Sequence, residues 1–332
     1  MTRDTSASWR VELIRCSFRL ETGNREAAAV AVNVNVGIYL RGDAPPQRTI
    51  ANSVADGCRV VGDRPFVFSD HVRIEEADAI VVFGIGGDAK CAWEHAKEAG
   101  KRLVFLDKPY IRLVKTPPDI PGYWLLRVAV DAFQPLRYFQ FKKHAHDRWK
   151  NLGIDVRPYK KRDDRVILFD GASNKYVAWL GLGNGVGEPI EQWADWGQRM
   201  VDKIREHTDL RIVYRPRPSK NPVPPIRGTQ VSAVHSLEQD MSRCRLVVSH
   251  GGNIGYDAVI AGISHFAMGD SIARPVSETD WTRIGVPFIP DEDARRQWLS
   301  DIAWCQWNLD EFRSGTAWRY VRETMEVIDG LR

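Results

Sequence analysis

The chain has 332 residues, 43% of them hydrophobic and 27% charged, with a formal net charge of +4. That length allows two domains of ordinary size, and that apolar content excludes a disordered polymer. No stretch approaches the roughly 18 consecutive apolar residues of a membrane-spanning helix, and the first residues, MTRDTSASWR, lack the apolar centre of a signal peptide. A cytoplasmic protein with no membrane partner is expected. Cys16, Cys58, Cys91, Cys244 and Cys305 are scattered without a CxxC pair. Neither a zinc site nor a disulfide framework follows, and the thiols read as buried.

After an N-terminal portion without pattern, AVAVNVNVGIYL (29–40) alternates or runs apolar as a strand does, and Pro45-Pro46 opens a helix to about Asp56. FVF (66–68), AIVVFGIGG (79–87) and RLVFLD (102–107) read as strands, with a helix from Ala89 to Ala99 stopped by Gly100. Residues 108–160 break this rhythm with prolines, the aromatic segment GYWLLRVAVDAFQPLRYFQF and a basic run. A second series follows: strand VILFD (166–170), a Gly-rich loop over 171–189, an amphipathic helix over 188–207 and strand LRIVYRP (210–216). It continues with a short helix from Ser236 to Arg243, strand LVV (246–248), a helix from Ile254 to Ala261 stopped by Gly262, and strand HFAMG (265–269). The tail from about Asp291 is helical by pattern and holds Trp298, Trp304, Trp307 and Trp318. Such βαβ alternation with short connections predicts an α/β protein with doubly wound parallel sheets. Two Rossmann-like domains are expected, over 1–160 and 161–310, with a C-terminal helix at 311–332 packing back on the first.

In open α/β sheets ligands bind beyond the carboxyl ends of the strands, so the residues that follow each strand are the candidates. Ser249-His250-Gly251-Gly252-Asn253 offers small residues at a helix start, where unpaired N–H groups and the macrodipole favour an anion. Arg215-Pro216-Arg217-Pro218-Ser219-Lys220 presents three cations and a hydroxyl on a proline-stiffened turn suited to phosphate. Asp270 and Ser271 follow the strand HFAMG, and Ser173 with Lys175 follow VILFD; both pairs are candidates for the same pocket. Gly84, Gly86 and Gly87 lie between a strand and a helix without completing the GxGxxG fingerprint, and their backbone is expected to face the ligand of the other domain.

Asp107, directly after RLVFL, is a candidate general base; Tyr110 and Arg112 stand beside it, and a helix cap or turn is its alternative role. Asp131 is the second candidate. Tyr123, Trp124 and Arg127 are candidates to stack on or clamp an acceptor, with a core strand as the alternative. Lys142 and Lys143 open a run that continues through Arg148, Lys150, Arg157, Lys160, Lys161, Arg162 and Arg165. This run is either a surface for a polyanion or a solvated connector. No metal constellation accompanies these residues.

The paired α/β domains, the YRPRPSK turn and VVSHGGNIGYDAVIAGISHFAMG together resemble the GT-B class of nucleotide-sugar glycosyltransferases over nearly the whole chain. The two motifs look like the RPHP turn and the Ser/Thr donor motif of capsule and sialic-acid-type transferases, with Arg217 in place of the usual His. DAIVVFGIGG, GKRLVFLDKPYIR, YWLLRVAVDAFQP and RRQWLSDIAWCQWNLDEFRSGTAWRYV are similar to bacteriophage-encoded GT-B-like proteins, with Gln134 where a His precedes the Pro in relatives. The resemblance implies a nucleotide sugar as co-substrate, a UDP-sugar first, with no cofactor. The second domain would hold this donor and the first the acceptor. It also implies duplex DNA carrying hydroxymethylated pyrimidines as acceptor, in the host-cell cytoplasm. A transferase or epimerase acting on a surface glycan or sugar nucleotide, and a non-catalytic nucleic-acid-binding protein of the same fold, are the alternatives.

Overall fold

The computed structural model describes residues 33–40, 45–69, 72–111, 125–160, 162, 164–182, 189–217 and 224–330. The first half lays down β1 (Asn35–Tyr39), α1 (Pro45–Val61), β2 (Arg64–Phe68), β3 (Ala79–Phe83), α2 (Gly87–Glu98), β4 (Arg102–Asp107), β5 (Leu126–Val130), α3 (Leu136–Phe141) and α4 (Asp147–Asn151). The second half adds β6 (Val166–Asp170), α5 (Asn174–Trp179), α6 (Pro189–Arg205), β7 (Arg211–Arg215), β8 (Gln230–Val231), α7 (Leu237–Ser242), β9 (Leu246–Ser249), α8 (Asn253–Ile260) and β10 (Ser264–Ala267). It closes with α9 (Glu292–Trp304), β11 (Gln306–Trp307), α10 (Leu309–Arg313) and α11 (Thr316–Asp329).

Two sheets result, in the orders β11-β5-β4-β3-β1-β2 and β10-β9-β6-β7-β8. Their apolar runs are buried on both faces, as strands covered by helices on either side must be. In the first sheet Val81, Val104 and Leu106 pack with Val54 of α1, whereas the alternate residues Ile80, Val82, Leu103 and Phe105 pack with Ala92 and Ala96 of α2. In the second, Ile167, Phe169, Ile212 and Val248 share one core, while Val166, Leu168 and Val247 share another with α8.

All pairings within the second sheet are parallel. The first sheet departs from the all-parallel expectation: β5 runs antiparallel to β4, and β11 antiparallel to β5. The Gly-rich segment read as a loop over 171–189 contains α5, which Ser173 caps by accepting the Tyr176 N–H at 3.3 Å. Among the described cysteines Cys58, Cys244 and Cys305 are buried as expected, but Cys91 is exposed on α2.

The tail returns to the first sheet. Trp318 donates its indole N–H to Asp63 Oδ2 at 2.6 Å, and Arg322 pairs with the same carboxylate. Gly57 of α1 lies under the Phe312 carbonyl of α10, where an added Cβ would come within 2.1 Å of the oxygen. Arg295 of α9, 1% exposed, ties the halves together. It donates to the Val259 carbonyl near the end of α8 at 2.5 Å and to the Arg157 carbonyl of the connector at 2.6 Å. No helix among the described residues is long and apolar enough to cross a membrane.

Candidate functional site

The chain leaves β6 for β7 on one side and comes back to β9 on the other, so the strand order of the second sheet reverses between β6 and β9. The crevice of a doubly wound sheet opens at that point, beyond the carboxyl ends of the strands. Asp170 ends β6, Ser249 ends β9, and His250 to Gly252 lead from β9 into α8. Gly252 has φ +138° and ψ −179°, a backbone conformation essentially reserved for glycine. A Cβ built on it would stand 3.5 Å from Asp170 Oδ2, so turn and carboxyl face each other. Sterics dictate the neighbouring glycines too. A Cβ on Gly251 would overlap the Tyr176 hydroxyl at 1.8 Å, and one on Gly269 would overlap His250 Nε2 at 2.3 Å.

Burial pushes the Asp170 carboxyl up to about 6, against the opposing pull of Arg217, the Ala172 N–H and Arg215. Ala172 itself has φ +56°, a left-handed conformation costly for a residue with a Cβ. His250 is held below its ordinary value by burial, opposed by the charge of exposed Asp270. Its Nδ1 lies 3.2 Å from the Tyr176 hydroxyl. Arg217, His250, Gly251, Gly252, Asn253 and Asp270 thus surround one crevice, with Ser173 and exposed Lys175 at the start of α5 beside it.

Other candidates serve as framework. Arg215 is committed to Asp240, to the Val234 carbonyl at 3.1 Å and to the His235 carbonyl at 2.7 Å. Ser249 and Ser271 are both fully buried. Ser271 Oγ accepts the Ala273 N–H at 3.3 Å. Ser249 belongs to a relay whose proton order follows from chemistry. The Ser277 hydroxyl donates to the Ala273 carbonyl at 2.5 Å, so it accepts from His265 Nδ1 at 2.7 Å, which leaves Nε2 to accept from the Ser249 hydroxyl at 2.8 Å. Burial pushes His265 down to about 3, consistent with a neutral ring. Ser219 and Lys220 lie outside the described residues.

On the first sheet Gly84, at φ +74°, donates its N–H to Leu106 O at 2.8 Å, and Gly86 and Gly87 lead into α2. Asp107 ends the neighbouring β4, with its side chain 23% exposed. Its Oδ2 accepts from Arg127 Nη2 at 2.9 Å. Arg127 is buried among Phe105, Tyr110 and Phe133, with its Cζ 4.7–5.3 Å from their ring centroids. Its Nη1 donates to the Tyr110 hydroxyl at 2.9 Å and to Gln134 Oε1 at 3.2 Å, and Tyr110 also hydrogen-bonds Gln134. Arg127, expected on the acceptor, instead fixes Asp107, and Tyr110, expected there too, is buried against Arg127. Arg112, Tyr123 and Trp124 lie outside the described residues.

Asp131 is not part of this site. Because β5 is antiparallel, its end lies at the start of β4, where Asp131 accepts the Leu103 N–H at 2.8 Å and pairs with Arg102 Nε at 2.9 Å. Lys142 pairs with Glu323 of α11, and Lys143 donates to Phe139 O at 2.9 Å near Asp301 of α9. Of the rest of the run, Lys161 lies outside the described residues and four arginines have partners. Arg148 binds Glu311 and the Ala303 and Gln306 carbonyls, Arg157 meets Glu238, Arg162 meets the Met241 and Ser242 carbonyls, and Arg165 meets Asp209. These are the contacts of a connector.

The two sheets present their strand ends to each other. Asn253 Nδ2 donates to Pro109 O at 2.7 Å, which brings the start of α8 against the turn after Asp107. Lys90 donates to Ala178 O at 2.8 Å, and Trp179 of α5 packs 5.7–6.2 Å from the rings of Trp93, Phe105 and Phe133. Tyr176 lies between the halves, its ring 5.7 Å from Phe133 and its hydroxyl on His250. Sequence reasoning missed Tyr176 and Asp170. The rule that selected Asp107, the last residue of a strand, selects Asp170 equally, and Ser173 as a cap is the signal for the helix that carries Tyr176.

No family model and no curated protein matches the chain. Among solved structures, the KpsC β-Kdo 2,7 transferase of Thermosulfurimonas dismutans matches with a TM-score of 0.51 and 15% identity, over 85% of this chain and 98% of that one. The KpsC β-Kdo 2,4 transferase of the same organism matches with a TM-score of 0.42 and 11% identity, over 84% and 98%. The glycosyltransferase SnogD from Streptomyces nogalater gives 0.24 and 9%, over 87% and 98%. The first of these likenesses speaks to architecture, and with the paired sheets it gives the chain a GT-B fold of two Rossmann-like halves facing across a cleft.

Proposed function

We propose that this protein is a glycosyltransferase that moves a sugar from a nucleotide sugar to an acceptor hydroxyl. The observation that carries the reading is the Asn253–Pro109 hydrogen bond of 2.7 Å, which sets the start of α8 directly against the turn that follows Asp107. The free N–H groups at the start of α8 receive the donor phosphate, with Arg217 and Lys175 as nearby cations, and Ser219 and Lys220, which follow Arg217 in sequence, as further candidates. Asp107 Oδ1 takes the acceptor proton as the acceptor oxygen bonds to the anomeric carbon; the bond from that carbon to the phosphate oxygen breaks, and the nucleotide departs with the electron pair. Arg127 acts only on the orientation of Asp107. A UDP-sugar is the first donor to try.

For the acceptor, the partly buried pairing of Arg148 with Glu311 and the pairing of Lys142 with Glu323 favour a carbohydrate hydroxyl over duplex DNA, because cations already paired release fewer counterions on binding a polyanion. The test is to incubate the protein with UDP-, GDP-, CMP- and ADP-sugars and either oligosaccharides or hydroxymethylated duplex DNA, then weigh the products. A mass increase of one sugar on an oligosaccharide is expected. Sugar on the DNA nucleosides alone would reverse the choice of acceptor, and a failure of every nucleotide to raise the melting temperature would remove the donor site.

A further inference from the structure

Asp170 has no part in the transfer step described above, yet it faces the start of α8 across the strand ends. It ends β6 at the point where the strand order reverses, and its Oδ2 faces Gly252, the residue that caps α8. A phosphate seated on the first N–H groups of α8 therefore lies beside this carboxyl. Two anions in contact repel, and one proton shared between them removes the repulsion.

Resting on the donor reading, we propose that Asp170 is a further donor-site residue that meets the sugar-nucleotide phosphate as its neutral acid, donating a hydrogen bond to a phosphate oxygen, so that donor binding takes up a proton. The groups facing Asp170 are consistent with this. From the turn after β7 comes Arg217, whose charge favours the carboxylate; Arg215 on the strand end is spent on Asp240. Tyr214 of β7 and Tyr176 of α5 are both held above their ordinary range by burial and stay neutral. Lys175 is exposed on α5, His250 occupies the turn after β9, and Asp270 follows β10. In the free protein the carboxyl already titrates at about 6, so the cost of supplying the proton near neutrality is small. Bound phosphate raises it further, and the proton enters from solvent.

The sign follows from linkage. Where the complex holds more protons than the free protein, affinity falls as pH rises, here by up to about tenfold per unit above the value for free Asp170. The probe must not itself titrate in this range, as a phosphate monoester does near pH 6. UDP-glucose, GDP-mannose and ADP-glucose carry only phosphate diesters. Each is titrated calorimetrically into the whole protein between about pH 5.5 and 8, in buffers of different ionisation enthalpy, to count protons. Uptake approaching one proton and the stated fall in affinity are expected for whichever probe binds, with both lost in Asp170→Asn, whose fold is checked by its melting curve. Binding without proton uptake overturns the inference and spares the donor reading. Uptake that persists in Asp170→Asn assigns the proton to His250 and overturns it as well. If no probe binds at any pH, the donor reading falls and takes the inference with it.

Discussion

Replacing Asp107 by Asn is expected to slow sugar transfer about a hundred- to ten-thousandfold while leaving nucleotide affinity unchanged. The amide retains the shape of the carboxylate, and its oxygen still accepts from Arg127 Nη2, which now lies at 2.9 Å. What it loses is the capacity to take a proton. The proposed nucleotide contacts lie on the second sheet, so a binding titration separates the two effects. Asp131 is no substitute: it is hydrogen-bonded at Leu103, four residues before Asp107 on β4, which at the rise of a strand is roughly 13 Å away. Turnover retained by Asp107→Asn would move the base elsewhere in the cleft, with Asp270 and the Tyr176–His250 pair the next to examine.

Arg127→Met should be the most destabilising single change at the site. The guanidinium is 6% exposed and serves Asp107, Tyr110 and Gln134 together. Methionine fills much of the volume but leaves the Asp107 carboxylate and the Tyr110 phenol oxygen without the guanidinium donor, while Gln134 keeps only the Tyr110 hydroxyl. Breaking a buried ion pair by removing one partner costs about 3–5 kcal/mol, and the partial exposure of Asp107 places this change at or below the lower end. Denaturant unfolding should show the midpoint shifted with an unchanged slope, and transfer should fall with it as Asp107 loses its fixed orientation. Lysine should rescue little, since one ammonium cannot reproduce the fork that reaches Asp107 with one nitrogen and Tyr110 with another. A loss of under about 1 kcal/mol in Arg127→Met would show that the cluster contributes packing rather than an ion pair.

Much of this site can be read from local pattern, because the rules involved are local. A β-branched run that stops at a glycine, as AIVVF stops at Gly84 and LVVS leads to Gly251, marks a strand end and hence an edge of the cleft. What escapes the sequence depends on direction and on partners. LRVAV is buried on both faces whichever way it runs, so nothing in its composition says that β5 is antiparallel, and this alone carries Asp131 to the far edge. Arg215 and Arg217 are chemically alike and two residues apart. Only the fold shows that the first is claimed by Asp240 while the second faces Asp170. Ser249 looks like a donor residue until parallel pairing brings β10 alongside and His265 claims its hydroxyl. The six-residue α5 is too short to emerge from a glycine-rich segment by periodicity, and with it Tyr176 is lost.

Backbone hydrogen exchange, measured with and without each of the sugar nucleotides at saturation, tests the central claim most directly. Nucleotide held at the start of α8 should slow exchange at the amides of Gly252, Asn253 and Ile254 and in the turn at Arg217, while the amides beside Asp107 change only when an acceptor is added. Protection confined to the first sheet, with the start of α8 unaffected by any nucleotide, would contradict the account.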